Sequence, residues 1–257
     1  MAKPLILITN DDGVMAPGIR HLIRFMRDLG DVVVVAPDKP QSGMGHAVTI
    51  VNPIRLEKIT VEKNLNEYAC SGTPVDCVKL AVNKVLKRKP DLLVSGINHG
   101  SNSSINVIYS GTMSAAIEGA MENIPSIGFS LLDYSFDADF ESGKKFVRQI
   151  ASHVLQNGLP GGICLNVNIP ARKENEIKGI KICRQARANW EEEFDHRKDP
   201  HGKDYYWLTG RFRVHENSDE TDEAALAAGY VSVVPIQFDF TAHKFISELE
   251  QSGLHQA

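Results

Sequence analysis

Short apolar runs alternate with helical patterns along the first half of the chain. Residues 5–9, 32–36, 91–95 and 126–131 are apolar runs that predict strands buried on both faces of a sheet. Between the first two runs, Pro17 suits a first helical turn and Gly30 suits a helix end. Apolar residues recur between them at helical spacing, namely Ile19, Leu22, Ile23, Met26 and Leu29. This alternation predicts an α/β fold with a doubly wound, mainly parallel sheet.

A second helix continues this alternation, and two stretches depart from it. After Thr73, a predicted N-cap, and Pro74, the buried face of a second helix is expected to hold Val78, Ala81, Val82, Val85 and Leu86. Before that helix, residues 47–70 show alternating apolar and polar positions that predict a strand excursion. From about residue 163 the pattern becomes strand-rich and polar, with a short helix near 244–249. We therefore expect a core over residues 1–170 and a C-terminal region, 171–257, that carries an arm and belongs to the same domain.

The composition of the 257 residues restricts the class of protein. A hydrophobic content of 42% with 23% charged residues is typical of a globular protein, and a net charge of −4 favours neither nucleic acid nor acidic membranes as partners. The first apolar run is too short for a signal-peptide core, and no apolar stretch is long enough to span a bilayer. The cysteines, Cys70, Cys77, Cys164 and Cys183, are scattered and predict reduced, mostly buried thiols. The sequence thus indicates a cytoplasmic protein without membrane contacts.

Polar, glycine-rich loops follow three of the predicted strands, at 10–13, 38–43 and 96–100. The carboxyl ends of parallel strands meet at one edge of a sheet, where ligands bind in open α/β folds. Asp11 and Asp12 lie in the first loop, and adjacent carboxylates repel unless a cation or strong donors compensate them. Hard oxygen ligands suit Mg²⁺ or Mn²⁺. The alternative is that Asp11, Asp12 and Gly13 form only a turn, since these residue types favour turns.

The segment Ser110, Gly111, Thr112 opens another predicted helix with small polar residues. Exposed amides and hydroxyls at a helix N-terminus form a phosphate cradle, helped by the helix dipole. The alternative is an ordinary serine N-cap followed by an alanine-rich buried helix. Neither reading is decided by this segment alone.

Taken in order, these motifs resemble the SurE (survival protein E) nucleotidases. The resemblance is strong from about residue 5 to 131 and weaker later, around 221–222 and 229–232. The motifs that carry it are Ile8-Thr9-Asn10-Asp11-Asp12-Gly13, Ala36-Pro37-Asp38 with Ser42-Gly43, Gly72-Thr73-Pro74, Ser95-Gly96-Ile97-Asn98 and Tyr109-Ser110-Gly111-Thr112. Each motif alone is weak, but five in the right order with compatible spacing are specific.

The resemblance implies a Rossmann-like, three-layer fold with a strand-rich C-terminal arm that is exchanged between subunits, giving dimers or tetramers. It implies one divalent cation per subunit, held by Asp11, Asp12, Ser42 and Asn98, with Asp11 and Asp12 as catalytic residues. The phosphate surroundings that it implies are Asn10, Gly43, Asn98, Ser110, Gly111 and Thr112. The implied activity is hydrolysis of nucleoside 5′- and 3′-monophosphates, with short polyphosphate as a further substrate of some members. Asn106 stands where many members carry an acid, which puts any role of that acid in doubt here.

Several alternatives remain at the level of the sequence. A receiver domain needs a phosphoacceptor aspartate after the third strand, where this chain has Asn98, and a haloacid-dehalogenase-like phosphatase needs Asp-x-Asp. A metal- and nucleotide-binding sensor without catalysis stays open, as does the choice between attack by water and an aspartyl-phosphate intermediate. His46 and His99 flank the site loops and are expected to be solvated. Tyr205, Tyr206 and Trp207 could stack a base, but we favour a subunit interface for them.

Overall fold

The fold is a three-layer α/β sandwich, described here from a computed structural model over residues 3–135, 137–252 and 254. The strands are β1 (Leu5–Thr9), β2 (Asp31–Pro37), β3 (Leu56–Ile59), β4 (Asn66–Cys70), β5 (Leu92–His99), β6 (Ser126–Leu131), β7 (Ile163–Ile169), β8 (Ile180–Ile182), β9 (Ala188–Lys198), β10 (Asp204–Val214) and β11 (Val231–Gln237). The α-helices are α1 (Pro17–Met26), α2 (Pro74–Leu80), α3 (Gly111–Met121), α4 (Lys144–Asn157), α5 (Asp222–Ala227) and α6 (His243–Gln251). Short helical turns lie at Ala81–Val85, Ser104–Ile108, Phe140–Gly143 and Glu174–Glu176.

Nine of the strands in the described residues form one sheet, in the order β3-β4-β2-β1-β5-β6-β7-β11-β8. The six strands from β4 to β7 are mutually parallel, β3 and β11 run antiparallel to their inner neighbours, and β8 is parallel to β11. Helices α1 and α4 share a hydrophobic core with one face of the sheet, while α2 and α3 pack on the other face. The predicted α/β class with a mainly parallel sheet is confirmed.

The first two helices begin where the sequence predicts and end earlier. Pro17 opens α1, and Thr73 caps α2 in a capping box with Asp76. Helix α1 stops at Met26, and a turn closed by a hydrogen bond from the Leu29 amide to the Met26 carbonyl connects it to β2. Gly30 then lies so close to the start of β1 that a Cβ on it would be 2.4 Å from the Pro4 carbonyl oxygen. Helix α2 gives way after Leu80 to a π-helical turn over Ala81–Val85.

The two irregular stretches of the sequence both add strands. Residues 47–70 supply β3 and β4, and β4 pairs in parallel with β2, so this stretch extends the main sheet. In the C-terminal region, β11 lies beside β7 within the sheet, while β9 and β10 form a separate antiparallel hairpin. The hairpin is mostly exposed, and every residue of the closing helix α6 is exposed. The predicted short helix near 244–249 is confirmed as α6.

All four cysteines are buried free thiols, as the sequence predicts. Cys70 and Cys77 share one core cluster, and Cys164 and Cys183 lie in two smaller clusters nearer the C-terminal edge of the sheet. Among the described residues, no helix has both the length and the apolar character needed to cross a bilayer.

Candidate functional site

A cleft of about 220 Å³ opens at the carboxyl ends of β1 and β5. The chain passes from β1 to β2 on one side and later returns to β5 on the other side, so the strand order reverses here. Ligands bind at such switch points in open α/β sheets. The cleft is lined by Asp11, Asp12, Ser42, Gly43, Asn98, His99, Ser101, Asn102, Asn106, Tyr109, Ser110 and Tyr134. The loops after β1, β2 and β5 therefore converge as the sequence analysis expects.

Asp11, which follows β1, is held by contacts with the first residues of α3 and with Gln41. Its Oδ1 accepts a hydrogen bond of 2.5 Å from the Thr112 hydroxyl, and its carbonyl accepts one of 2.7 Å from the Gln41 amide. Gly111 permits this approach, because a Cβ at that position would lie 2.7 Å from the Cβ of Asp11. Three separate parts of the sequence thus meet around one carboxylate.

The two neighbouring carboxyl groups resist ionisation. Burial raises the pKa of Asp11 to about 6, with the Thr112 hydrogen bond lowering it and the charge of Asp12 raising it. Burial also raises the pKa of Asp12, partly offset by the backbone and the imidazole charge of His99. Oδ2 of Asp12 is buried and has no hydrogen-bond partner among the described residues. Among the described residues, the hydrogen-bond donors and the His99 charge thus offset the burial of the pair only in part.

Ser42, Gly43 and Asn98 complete the wall opposite the carboxylates. The Asn98 amide nitrogen donates to the carbonyls of His99 and Gly100, both at 3.0 Å. The amide oxygen is then the end of this side chain left for a ligand. Gly43 has a φ of +74°, a conformation that side chains disfavour, and its loop is otherwise open.

The remaining predicted site residues lie behind or beside this wall. Asn10 is buried under the turn, with its amide nitrogen 2.9 Å from the Gly13 carbonyl and its Oδ1 unbonded among the described residues. Ser110 caps α3 by accepting a hydrogen bond of 3.0 Å from the Met113 amide. The serine N-cap is therefore real, and the same hydroxyl also lines the cleft.

The donor set of the cleft fits a hard divalent cation. Two carboxylates, one hydroxyl and one amide oxygen are the ligand types that Mg²⁺ and Mn²⁺ prefer. The buried, unbonded Oδ2 of Asp12 is an acceptor that a cation would satisfy. In the part of the chain that the structure describes, no three His, Cys, Asp or Glu side chains are placed so that they could hold a metal ion together. A cation here would therefore depend on neutral oxygens from Ser42 and Asn98 besides the two acids.

Several residues of the cleft were not singled out from the sequence. Asn102 belongs to a buried ladder: its amide N–H donates to Asn168 (2.9 Å), its side chain donates to Ser130 (2.8 Å), and its carbonyl accepts from Asn166 (2.8 Å). Polar residues at alternate positions of the otherwise apolar strand β7 were a signal for this ladder. Nothing in the sequence around Tyr134 indicated that this residue would line the cleft. His99 lines the cleft, whereas His46 instead pairs with Glu118 at 2.9 Å.

The loop after β5 is also held from the C-terminal region. Asp222 accepts hydrogen bonds from the amides of Ser104 (2.8 Å) and Ala186 (2.9 Å). Glu223 accepts from the Ser103 hydroxyl at 2.5 Å. Burial raises the pKa of Asp222, and the backbone donors partly counter that rise. One helix thus fastens both a cleft loop and the segment that leads into the hairpin.

Together, the switch-point cleft and the two-carboxylate donor set define a Rossmann-like α/β protein with a candidate metal site for an anionic ligand. A family model described as survival protein SurE matches residues 6–192. The chain is 65% identical over its full length to a relative from Flavobacterium psychrophilum, with both chains covered completely. It is 51% identical over 249 residues to one from Bacteroides fragilis, covering 96% of this chain and 97% of the relative. The chain belongs to the survival protein SurE family.

The named relatives and a solved structure agree with this assignment. Both relatives carry the name 5′-nucleotidase SurE. The crystal structure of the SurE protein from Aquifex aeolicus superposes with a TM-score of 0.84 at 40% identity, covering 97% of this chain and 99% of that chain. The resemblance inferred from the motifs is confirmed.

Proposed function

We propose that this protein is a metal-dependent phosphomonoesterase that hydrolyses nucleoside 5′-monophosphates to nucleoside and phosphate. The names of the relatives support the nucleotidase activity. The observation that carries the metal dependence is the buried, unbonded Oδ2 of Asp12 beside Asp11 in a cleft of neutral oxygen donors. Asp11, Asp12, Ser42 and Asn98 would hold one Mg²⁺ or Mn²⁺ per subunit.

Each group of the cleft then has a defined task. A divalent cation there would supply positive charge to the phosphate oxygens and activate water as a nucleophile. Asp11, fixed by Thr112, and Asp12 orient that water or accept its proton. The N-terminal amides of α3, with Ser110 at its cap, face a bound phosphate with the positive end of the helix dipole. Gly43 keeps its loop open, and Asn10 braces the turn that carries both carboxylates.

The same site accommodates related esters. Every contact proposed here is made to a terminal phosphate and to the cation, so 3′-monophosphates and short polyphosphate are further substrates. Direct attack by a carboxylate remains the alternative chemical route. Acid-quenched protein carrying covalent phosphate would identify that route.

The second candidate function is a metal- and nucleotide-binding sensor without catalysis. Phosphate release from a nucleoside monophosphate, measured by a colourimetric assay with Mn²⁺, separates the two functions. Activity should vanish with EDTA and return with Mn²⁺ or Mg²⁺. Full activity after exhaustive chelation contradicts the metal mechanism, and ligand binding with no phosphate release favours the sensor.

We also propose that the protein assembles as a homodimer or tetramer through its C-terminal arm, the hairpin of β9 and β10 together with the segment 238–251. Large apolar side chains are exposed along this arm, including Phe194 (64%), Trp207 (59%) and Phe240 (89%). So many exposed large apolar side chains on one arm support an interface between subunits.

A further inference from the structure

A second cavity, of about 470 Å³, lies between the hairpin of β9 and β10 and Tyr109, in the segment that precedes α3. Its walls are formed by Tyr109, Trp190, Glu192, Leu208, Thr209 and Gly210. The lining thus comprises two aromatic residues, a leucine, a threonine, a glycine and one acidic residue. Such a cavity suits a flat, largely apolar ring with a polar edge.

This cavity borders the cleft of Asp11 and Asp12. Tyr109 lines both spaces. Asn106 lines the cleft, and its Oδ1 accepts a hydrogen bond of 2.8 Å from the Trp190 indole nitrogen. A molecule with its phosphate in the cleft therefore has its remaining part directed past Tyr109 and Asn106.

The ring of Trp190 is held in place and remains partly exposed. It packs on Phe212 across the hairpin, with ring centroids 5.5 Å apart, and its N–H is fixed by Asn106. Its exposed fraction is 41%, and that of Tyr109 is 53%. A preorganised aromatic face loses little freedom when a second ring stacks on it.

The charged residue that lines the cavity is acidic. Glu192 is the only charged residue among those lining it, and a carboxylate accepts hydrogen bonds but donates none when ionised. A ring edge that presents adjacent N–H donors, as guanine does, matches this wall best. Adenine and cytosine offer one exocyclic amino group, and uracil offers one ring N–H.

We propose that this cavity is the nucleobase subsite, where Trp190 and Tyr109 stack the base and Glu192 favours guanine. The proposal rests on the proposed function, because it places the phosphate of the same nucleotide in the cleft of Asp11 and Asp12. It names the substrate class of that site as purine nucleoside monophosphates, with the guanine nucleotide foremost.

The first test is kinetic and compares GMP, AMP and ribose 5-phosphate, which has no base. Trp190→Ala should raise the KM for GMP by about 5- to 150-fold, the range for losing one base-stacking contact. The kcat/KM for ribose 5-phosphate should stay within about twofold of wild type, since no base is lost. Glu192→Gln should reduce the preference for GMP over AMP by about 3- to 10-fold. Trp207→Ala, on the same hairpin but outside the cavity, is the matched control and should leave all three ratios unchanged.

The second test reads binding without catalysis. The chain has two tryptophans, Trp190 and Trp207, so Trp207→Phe leaves Trp190 as the only indole. In that background, GMP should quench the tryptophan fluorescence, and ribose 5-phosphate at the same concentration should not. The reciprocal variant, Trp190→Phe, should show no quenching by GMP.

The outcomes separate the two proposals. Hydrolysis of ribose 5-phosphate as efficient as that of GMP, with no effect of Trp190→Ala on either, overturns the base subsite and leaves the phosphatase intact. Quenching of Trp190 by GMP without hydrolysis of any ester supports the subsite and overturns the proposed function. Equal quenching by GMP and ribose 5-phosphate also overturns the subsite.

Discussion

At the end of β1, two neighbouring aspartates are held in different ways. Asp11 is bonded to Thr112 and crowded by Gly111, whereas Oδ2 of Asp12 has no partner among the described residues. Burial raises the pKa of both carboxyl groups, so their ionised forms lose stability in the metal-free protein. Sites arranged for a ligand commonly sacrifice stability in this way.

The first prediction is that Asp12→Asn separates stability from function. The substitution removes one of two adjacent charges with almost no change of shape. The metal-free variant should therefore be as stable as wild type or more stable by on the order of 1 kcal/mol. Nearly all turnover should be lost, because a neutral amide oxygen is a poor replacement for a charged ligand. Added Mn²⁺ should raise the melting temperature of wild type much more than that of the variant.

Asp31→Asn is the matched control for this experiment. Asp31 is an exposed acid at the far end of β2, so its variant should keep both the activity and the response to Mn²⁺. If Asp12→Asn instead melts well below wild type without metal, Asp12 is a structural turn residue and the site assignment is wrong.

The sequence predicted those cleft residues that follow the ends of parallel strands. Asp11 and Ser42 follow the ends of β1 and β2, and Asn98 lies near the end of β5, so any doubly wound sheet brings them to one edge. The alternating Asn166 and Asn168 of β7 indicate a polar face, but they do not indicate its partner. That partner is Asn102, whose backbone N–H donates to the Asn168 side chain across 66 residues of sequence, and a pairing over this distance is not encoded locally.

Among the helices and strands, those signalled by their own sequence were predicted, and those placed by distant pairing were not. The N-cap of α2 and the apolar runs of β1 and β2 are local signals, and all three elements begin close to where the sequence predicts, although α2 ends earlier. The place of β11 between β7 and β8 was not predictable, because nothing within β11 encodes an antiparallel partner more than 60 residues earlier. The π-helical turn at Ala81–Val85 likewise carries no propensity signal of its own.

The second prediction concerns the N-terminus of α5. Asp222→Ala removes the acceptor for the buried amides of Ser104 and Ala186, which would then have no partner. The free energy of unfolding should fall by about 2–4 kcal/mol, since each buried unsatisfied amide costs about 1–3 kcal/mol. Urea unfolding measures the loss, and faster hydrogen exchange at 101–108 locates it.

The exposed neighbour Asp219 supplies the control for this loss. Asp219→Ala should change stability by less than about 0.5 kcal/mol. Equal stability of the two variants would show that α5 does not hold the cleft loop.

The third prediction is a pH dependence that belongs to α3. Glu118 is 2% exposed and accepts hydrogen bonds from His46 (2.9 Å) and Lys79 (2.5 Å). Burial acts to raise its pKa, but the two partners outweigh burial and lower the pKa below its ordinary value of 4.5. A carboxyl group with a lowered folded-state pKa stabilises the fold above the unfolded pKa, and this contribution is lost as the pH falls through the folded value.

Glu118→Gln should therefore lower the free energy of unfolding by about 1–3 kcal/mol at pH 7. The difference from wild type should shrink as the pH falls below 4.5, in urea unfolding measured from pH 7 to pH 3. Glu57→Gln, at an exposed position of the edge strand β3, should give no such trend. If the difference in the free energy of unfolding between wild type and Glu118→Gln is constant over the whole pH range, the charge of Glu118 does not stabilise its contacts with His46 and Lys79.

For the whole molecule, the fourth prediction is self-association through the arm. Phe240 is 89% exposed and Phe245 of α6 is 53% exposed, so an isolated chain would present much apolar surface to water. Light scattering at micromolar concentration should give a dimer or tetramer. Phe245→Glu should shift the mass toward the monomer, whereas Lys244→Glu, which changes a neighbouring polar position, should not. A monomeric wild type counts against the assembly.

The buried cysteines can serve as chemical probes of local unfolding. A thiol reagent reaches a buried sulfur only when the surrounding structure opens, so the alkylation rate reports that opening event. Cys183 lies beside the edge strand β8 and is 7% exposed. Cys70, on β4 next to the opposite edge strand β3, and Cys77, on α2, are fully buried in one core cluster. Alkylation under native conditions, followed by mass spectrometry, should label Cys183 first, Cys70 and Cys77 last. Bound Mn²⁺ should slow the last two sites more than the first, because Cys70 and Cys77 pack in one core cluster with Leu7 of β1, the strand that leads into Asp11 and Asp12.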